Sequence, residues 1–119
     1  DEQLRQLPAA FLDRLRTAIR TRHYSPRTPV TLHPRNSVSR ATRSPANEAW
    51  IFVSKPRGLT GRNIFSLDAR GDLRGAARRL FATLRRVDAQ GFARIHAELA
   101  RGEGLADAIN DRLRRAASR

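Results

Sequence analysis

The chain is predicted to form an α/β domain with a short, mostly parallel sheet of about four strands between two helical layers. Three observations favour this class. Residues 49–53 form an uninterrupted apolar run, which is typical of a strand that is covered on both faces. A strongly amphipathic helical pattern begins at Asp72, and a strand pattern and a second helical pattern follow it. A parallel sheet requires such alternation, because each parallel connection must cross over the sheet.

The first 29 residues are predicted to lie outside the sheet. After Pro8, which suits a first helical turn, apolar residues at helical spacing predict an N-terminal helix within residues 1–21. They are Phe11, Leu12, Leu15 and Ile19. Residues 22–29 contain Pro26 and Pro29, which fix their own φ and keep the preceding residues extended. This segment is therefore predicted to be a stiff arm, and residues 30–119 to be the α/β domain.

Four short segments carry strand patterns. The expected strands are Val30–Leu32, Ala49–Val53, Asn63–Leu67 and Phe92–Leu99. Apolar and polar residues alternate in the last of them, as in a strand with one covered face. Residues 34–48 are polar and bounded by proline, which predicts a loop with room for one helical turn. The strand order stays open, because the loop at residues 54–62 is too short for a helical crossover.

Two segments carry helical patterns. Asp72 is a candidate N-cap, since its side chain can accept a hydrogen bond from a backbone N–H, and Gly91 supplies the expected helix stop. The second helix is expected after the loop at Gly102–Gly104. The inward faces are formed by Leu73, Ala76, Ala77, Leu80, Phe81, Leu84 and Val87 in the first helix, and by Leu105, Ala108, Ile109, Leu113 and Ala116 in the second.

The composition excludes several classes of protein. The chain contains no cysteine, which excludes disulfides, thiolate zinc sites and a cysteine nucleophile. It contains no methionine, which indicates a piece of a longer chain or a processed product. No apolar run has the length of a membrane span and no signal-peptide core is present, so the expected location is the cytoplasm and no membrane partner is expected.

The net charge is +13, and Lys55 is the only lysine among the 24 basic residues. Two explanations of the arginine excess stay open. A GC-rich genome favours arginine codons, and attraction to phosphate groups favours arginine because it binds them with two parallel hydrogen bonds. The charge is dispersed along the chain, which favours a solvated basic surface over one dedicated groove.

The sequence predicts no catalytic constellation. The histidines lack the spacing of metal ligands, so no metal site is expected. They are His23, His33 and His96. The two glycines within residues 57–62 are too few for a phosphate-binding loop and predict a tight turn. Glu98 and Glu103, the nearest acidic pair, flank a loop and are expected to be solvated.

The last predicted helix contains a dense group of polar residues, at positions 110–115. Asp111 and Arg115 are four residues apart and are expected to pair along one helix face, as are Asn110 and Arg114. Whether this face is functional or simply solvated stays open. The arginines of the helix after Asp72 are expected to form a solvated face.

Three stretches carry a resemblance to a known family. "RHYSPRTPVTL", at residues 22–32, resembles the interdomain linker of the two-domain threonylcarbamoyl-AMP synthases, whose pattern is roughly R-H-Y-x-P-x-x-P. "LFATLRRVDAQGFARIHAE", at residues 80–98, resembles part of the C-terminal domain of that family. "EGLADAINDRLRRAA", at residues 103–117, is similar to its closing signature, E-G-L-x-x-A-I-x-D-R-L-x-R-A.

The resemblance implies a small Rossmann-like, three-layer C-terminal domain. The parent enzyme would be a nucleotidyltransferase that makes threonylcarbamoyl-adenylate from threonine, bicarbonate and ATP, the first step of a tRNA modification at adenosine 37. ATP, with magnesium as an open possibility, would belong to a catalytic domain not present in this chain. The chain itself would hold no cofactor, no metal and no catalytic residue.

By position, the resemblance also implies two groups of site residues. The linker residues that would cover the catalytic cleft are His23, Tyr24, Pro26 and Pro29. The residues of the C-terminal helix signature, for which a structural role is an equal alternative, are Asn110, Asp111, Arg112 and Arg115. The implied partner is a catalytic synthase domain, in cis or in trans. Two alternatives stay open: a basic module that binds tRNA or other RNA, and a free-standing relic domain with a new protein partner.

Overall fold

The structure, a computed structural model, describes residues 25–34 and 37–118. Within these ranges the chain forms an α/β domain, as predicted. The strands are β1 (Val30–His33), β2 (Glu48–Phe52), β3 (Ile64–Ser66) and β4 (Arg94–Glu98), and the helices are α1 (Val38–Thr42), α2 (Leu73–Asp88) and α3 (Leu105–Ala117). The helix predicted within residues 1–21 lies outside the described residues, as do His23 and Tyr24 of the arm.

The four strands form one sheet in the order β1-β4-β2-β3, and every neighbouring pair is parallel. The last strand therefore lies between the first two, so that His96 of β4 is in register with Thr31 on one side and Trp50 on the other. Strands β2 and β3 are parallel although the loop that joins them contains no helix. This arrangement resolves the strand order that the sequence left open.

The strands carry side chains into two cores. Ala49 and Ile51 of β2 belong to the larger core, which the apolar faces of α2 and α3 cover. Trp50 and Phe52 point to the other face of the sheet and pack with Ala41 of α1 in a smaller core. The predicted burial of this strand on both faces, and with it the three-layer architecture, is confirmed.

The helix boundaries follow from local chemistry. The side chain of Asp72 accepts a hydrogen bond from the backbone N–H of Gly75 at 3.2 Å and caps α2, as predicted. The chain turns away after Asp88, and Gly91 takes a φ of 79°, a conformation that costs glycine little. Among the described residues, no helix combines the length and the apolar character needed to cross a membrane.

Candidate functional site

The carboxylate of Asp88 anchors the arm to the domain. Asp88 lies at the last residue of α2, and its two oxygens accept hydrogen bonds from the arm. The backbone N–H of Arg27 donates to Oδ2 at 3.2 Å, and the backbone N–H and the hydroxyl of Thr28 donate to Oδ1 at 2.9 and 2.7 Å. Hydrogen bonds to an ionised carboxylate are stronger than those between neutral groups. Residues 27 and 28 are therefore firmly held.

The position of Asp88 is unfavourable for the helix alone. A negative charge at a helix C-terminus opposes the helix dipole and typically costs about 0.3–1 kcal/mol. The three hydrogen bonds from the arm offset that cost. Two of the stretches that resemble the synthase family, the arm and the end of α2, thus meet at this carboxylate.

The prolines of the arm face different surroundings. Pro26 is buried to more than 98 %, whereas Pro29 is exposed. Pro26 therefore offers little free surface, although it directly precedes the residues that contact Asp88. Cleft contacts by His23, Tyr24, Pro26 and Pro29 stay a prediction, and His23 and Tyr24 lie outside the described residues.

Asn110 of the C-terminal helix signature has a defined structural contact. Its side chain is buried in α3, and its Oδ1 accepts from the backbone N–H of Ala100 at 2.7 Å while its Nδ2 donates to the carbonyl of Ala100 at 2.9 Å. The amide thus satisfies both polar backbone groups of a buried residue just after β4. The expected pair of Asn110 with Arg114 is replaced by this contact with Ala100.

The charged residues of the same helix pair at its surface. The predicted pair between Asp111 and Arg115 is present, with Nε of Arg115 at 3.3 Å from Oδ2 of Asp111. Arg112 reaches the same oxygen at 3.2 Å. Both Asp111 and Arg115 are about half exposed, and exposed pairs of this kind contribute about 0–1 kcal/mol. A functional role for these three side chains stays a prediction.

The structure brings together three side chains that the sequence did not connect. Glu48, His96 and His33 lie in a row across β2, β4 and β1, on the face of the sheet that α1 partly covers. Nε2 of His96 lies 2.6 Å from Oε1 of Glu48, and Nδ1 of His96 lies 2.8 Å from Nε2 of His33. The ring of Trp50 stacks on His96 with centroids 4.3 Å apart.

One assignment of protons gives every contact in this row a donor. His96 donates from Nε2 to the Glu48 carboxylate, and His33 donates from Nε2 to Nδ1 of His96. The facing ring nitrogens are then engaged with one another, so the row is a hydrogen-bonded relay and not a set of converging metal ligands. In the described part of the chain, no three acidic or histidine side chains converge with metal-ligand geometry.

The pKa values of the two residues at the ends of this row, His33 and Glu48, are both shifted. Burial, and after it the neighbouring His96 and the Arg40 guanidinium, lowers the pKa of His33 below its ordinary 6.5. The hydrogen bond from His96 lowers the pKa of the Glu48 carboxyl below its ordinary 4.5, against an opposing effect of burial. Both shifts favour the arrangement with neutral His33 and ionised Glu48.

We expect the domain to lose stability on acidification. The folded state binds a proton at His33 less readily than the unfolded state, so the stability present above 6.5 is lost as the pH falls below that value. Glu48 adds a second loss below 4.5. The melting temperature, measured by circular dichroism, should therefore decrease when the pH is lowered from about 7.5 to about 5.5.

His33→Gln is the matched variant for this prediction. Glutamine keeps an N–H donor for His96 but does not titrate. The melting temperature of the variant should therefore decrease less than that of the wild type over the same pH range. Equal declines in the two proteins would show that His33 does not carry the pH dependence.

Fold and contacts together define a small Rossmann-like α/β domain that holds an arm at its N-terminal side. A family model described as threonylcarbamoyl-AMP synthase, C-terminal domain, matches residues 17–118. The chain belongs to this family, and the resemblance drawn from the sequence is confirmed. Membership links the chain to the transferase reaction that leads to threonylcarbamoyladenosine in tRNA. A search of curated proteins returned no match, and a search of solved structures returned none either.

Proposed function

We propose that this chain is an accessory domain of a threonylcarbamoyl-AMP synthase, and that its arm closes the cleft in which a catalytic domain binds ATP and threonine. The observation that carries the proposal is the anchoring of the arm by Asp88. Bond making would take place on the catalytic domain, joined in cis or bound in trans. The proposal includes a cytoplasmic location.

Anchoring of the arm supports the proposal, because a segment that covers a cleft must be held in a defined position on its own domain. The contacts of Arg27 and Thr28 with Asp88 hold the part of the arm that directly follows residues 22–24 in the chain. Proline also restricts the free arm, so less conformational entropy is lost when the arm orders on a partner. A held, stiff segment is thus suited to bind a neighbouring surface at low entropic cost.

The residues next to the anchor supply suitable chemistry. Tyr24 can place a flat apolar ring against a cleft while its hydroxyl bonds to a polar group. His23 can donate a hydrogen bond, or carry a positive charge, next to the phosphates of ATP. In this proposal ATP, and any magnesium that accompanies it, is held by the catalytic domain.

The test uses a two-domain synthase from which the linker and the C-terminal domain have been removed. Adding this chain in trans should restore adenylate formation. Tyr24→Ala should lower the restored rate by roughly five- to ten-fold, equivalent to about 1–1.4 kcal/mol of lost stabilisation. Arg114→Ala, which changes an exposed residue far along the chain, is the control and should restore the rate like the wild type. No restoration, with no difference between wild type and Tyr24→Ala, would contradict the proposal.

A second candidate function is binding of tRNA through arginine. The observation that favours it is the exposed basic face of α2, formed by Arg74, Arg78, Arg79, Arg85 and Arg86. Arg79 is already paired with Asp68, and Trp50 is buried and cannot stack on a base. Salt distinguishes the two functions: phosphate contacts should weaken steeply as salt rises, and an arm docked through Tyr24 should not.

A further inference from the structure

A groove opens where β2 and β4 end. It has a volume of about 480 Å³, within the range of small-molecule sites. Phe52, Leu73 and Leu99 form part of its apolar lining, and Glu98 and Arg101 contribute opposite charges to its wall. A groove that combines an apolar floor with a few polar groups is the usual form of a ligand site.

The groove lies at the point in the sheet where ligands of parallel α/β domains usually bind. From β2 the chain continues to β3 on one side, and from β4 it continues to α3, which packs on β1 on the other side. Connections that leave neighbouring strands in opposite directions open a crevice between their carboxyl ends. The residues of the groove that follow these strands, Val53 and Ser54 on one side and Leu99 and Arg101 on the other, line this crevice.

Within the described part of the chain, no ion pair neutralises the two charges in the groove. Glu98 is partly buried, and its Oε1 accepts only a long hydrogen bond, 3.4 Å, from the backbone N–H of Val53. Among residues 25–34 and 37–118, neither Glu98 nor Arg101 forms an ion pair. The groove therefore offers a carboxylate for a cation and a guanidinium for an anion.

The backbone between Glu98 and Arg101 is held by the C-terminal helix. Ala100 lies between Leu99 and Arg101, and both of its polar backbone groups are bonded to the Asn110 amide. The segment from Glu98 to Arg101 is thereby fixed to α3. A site that is preorganised in this way loses less entropy when a ligand binds.

The helix that begins beside the groove argues against a phosphate ligand. The start of α2 would favour an anion, but Asp72 already caps it by accepting from Gly75. Glu98 lines the groove, and Asp72 lies in the chain between two residues that also line it, Gly71 and Leu73, so a multiply charged anion meets negative charge there. A ligand that carries one positive and one negative group fits these charges better.

We propose that this groove binds a free α-amino acid with an apolar side chain. The ammonium group lies at Glu98, the carboxylate at Arg101, and the side chain packs on Phe52, Leu73 and Leu99. Binding here is independent of the role proposed for the arm, since none of these residues belongs to residues 22–29.

The test is a nuclear magnetic resonance titration of the whole chain with leucine. Backbone amide signals of residues 52–54 and 98–101 should shift and saturate with a Kd of about 0.1–1 mM. Two analogues each lack one charge: 3-methylbutylamine has no carboxylate, and 4-methylpentanoic acid has no ammonium. Each should bind at least about ten-fold more weakly, because one charged contact is lost.

Variants separate this site from weak binding elsewhere. Glu98→Gln keeps an acceptor for Val53 and should fold, yet it should weaken leucine binding at least about ten-fold, as should Arg101→Gln. Glu103→Gln and Arg114→Gln change exposed charges outside the groove and should bind leucine like the wild type. The proposal is overturned if a panel of apolar amino acids at about 10 mM gives no saturable shift. It is also overturned if either analogue binds as well as leucine, if the groove variants bind normally, or if inorganic phosphate saturates the same signals.

Discussion

Replacing Asn110 with alanine should lower the free energy of unfolding by about 2–4 kcal/mol, because it leaves two buried backbone groups without partners. The N–H and the carbonyl of Ala100 are both bonded to the Asn110 amide, and Ala100 is itself buried. For a domain of this size the loss corresponds to a fall in melting temperature of roughly 10–20 °C. Thermal and urea unfolding, followed by circular dichroism, measure both quantities.

Arg114→Ala is the matched control for this prediction, since Arg114 lies on the same helix and is exposed. Its effect should stay within about 0.5 kcal/mol. A loss at Asn110 no larger than that of the control would mean that the Ala100 contacts contribute nothing to stability.

Replacing Asp88 with alanine should release the arm while the sheet and helices stay folded. The backbone N–H groups of Arg27 and Thr28 and the hydroxyl of Thr28 would lose their acceptor, and the free energy of unfolding should fall by about 2–3 kcal/mol. Hydrogen exchange at the amides of Arg27 and Thr28 should speed up by a factor of roughly 10–100, and exchange in β4 much less. In the synthase assay, this variant should restore adenylate formation as poorly as Tyr24→Ala does.

Two further variants make the Asp88 experiment specific. Asp88→Asn keeps one acceptor oxygen, so the hydrogen-exchange rate of its Thr28 amide should lie between those of the wild type and of Asp88→Ala. Glu103→Ala removes an exposed carboxylate in a loop and should leave the arm protected. Unchanged exchange at Arg27 and Thr28 in Asp88→Ala would show that Asp88 does not hold the arm.

Two of the tertiary contacts described above are made by residues that are unfavourable within their own helices. Asp88 places a negative charge at a helix C-terminus, and Asn110 places a polar side chain on the buried face of a helix. Local rules predict neither, because each is disfavoured within its own helix. Both are explained by backbone groups elsewhere in the chain, in the arm and after β4, which no nearby sequence pattern reveals.

The Glu48–His96–His33 row is another feature that local sequence patterns did not predict. The alternation predicted for the last strand places Ile95 and Ala97 on one face, where they join the larger core, and His96 on the opposite face. Which side chains meet His96 depends on the insertion of β4 between β1 and β2. Strand order is set by long-range packing, so histidine spacing along the chain gave no sign of the row.

By itself the sequence determined the α/β class, the positions of the strands and main helices, the Asp72 cap, the two-sided burial of β2 and the family. Each of these depends on hydrophobic periodicity, capping or a short motif, all of which act within a few residues. Only the tertiary structure decided the strand order, the anchoring of the arm at Asp88, the contact of Asn110 with Ala100 and the groove between β2 and β4. These features join residues that are distant in sequence, and packing of the whole domain brings them together.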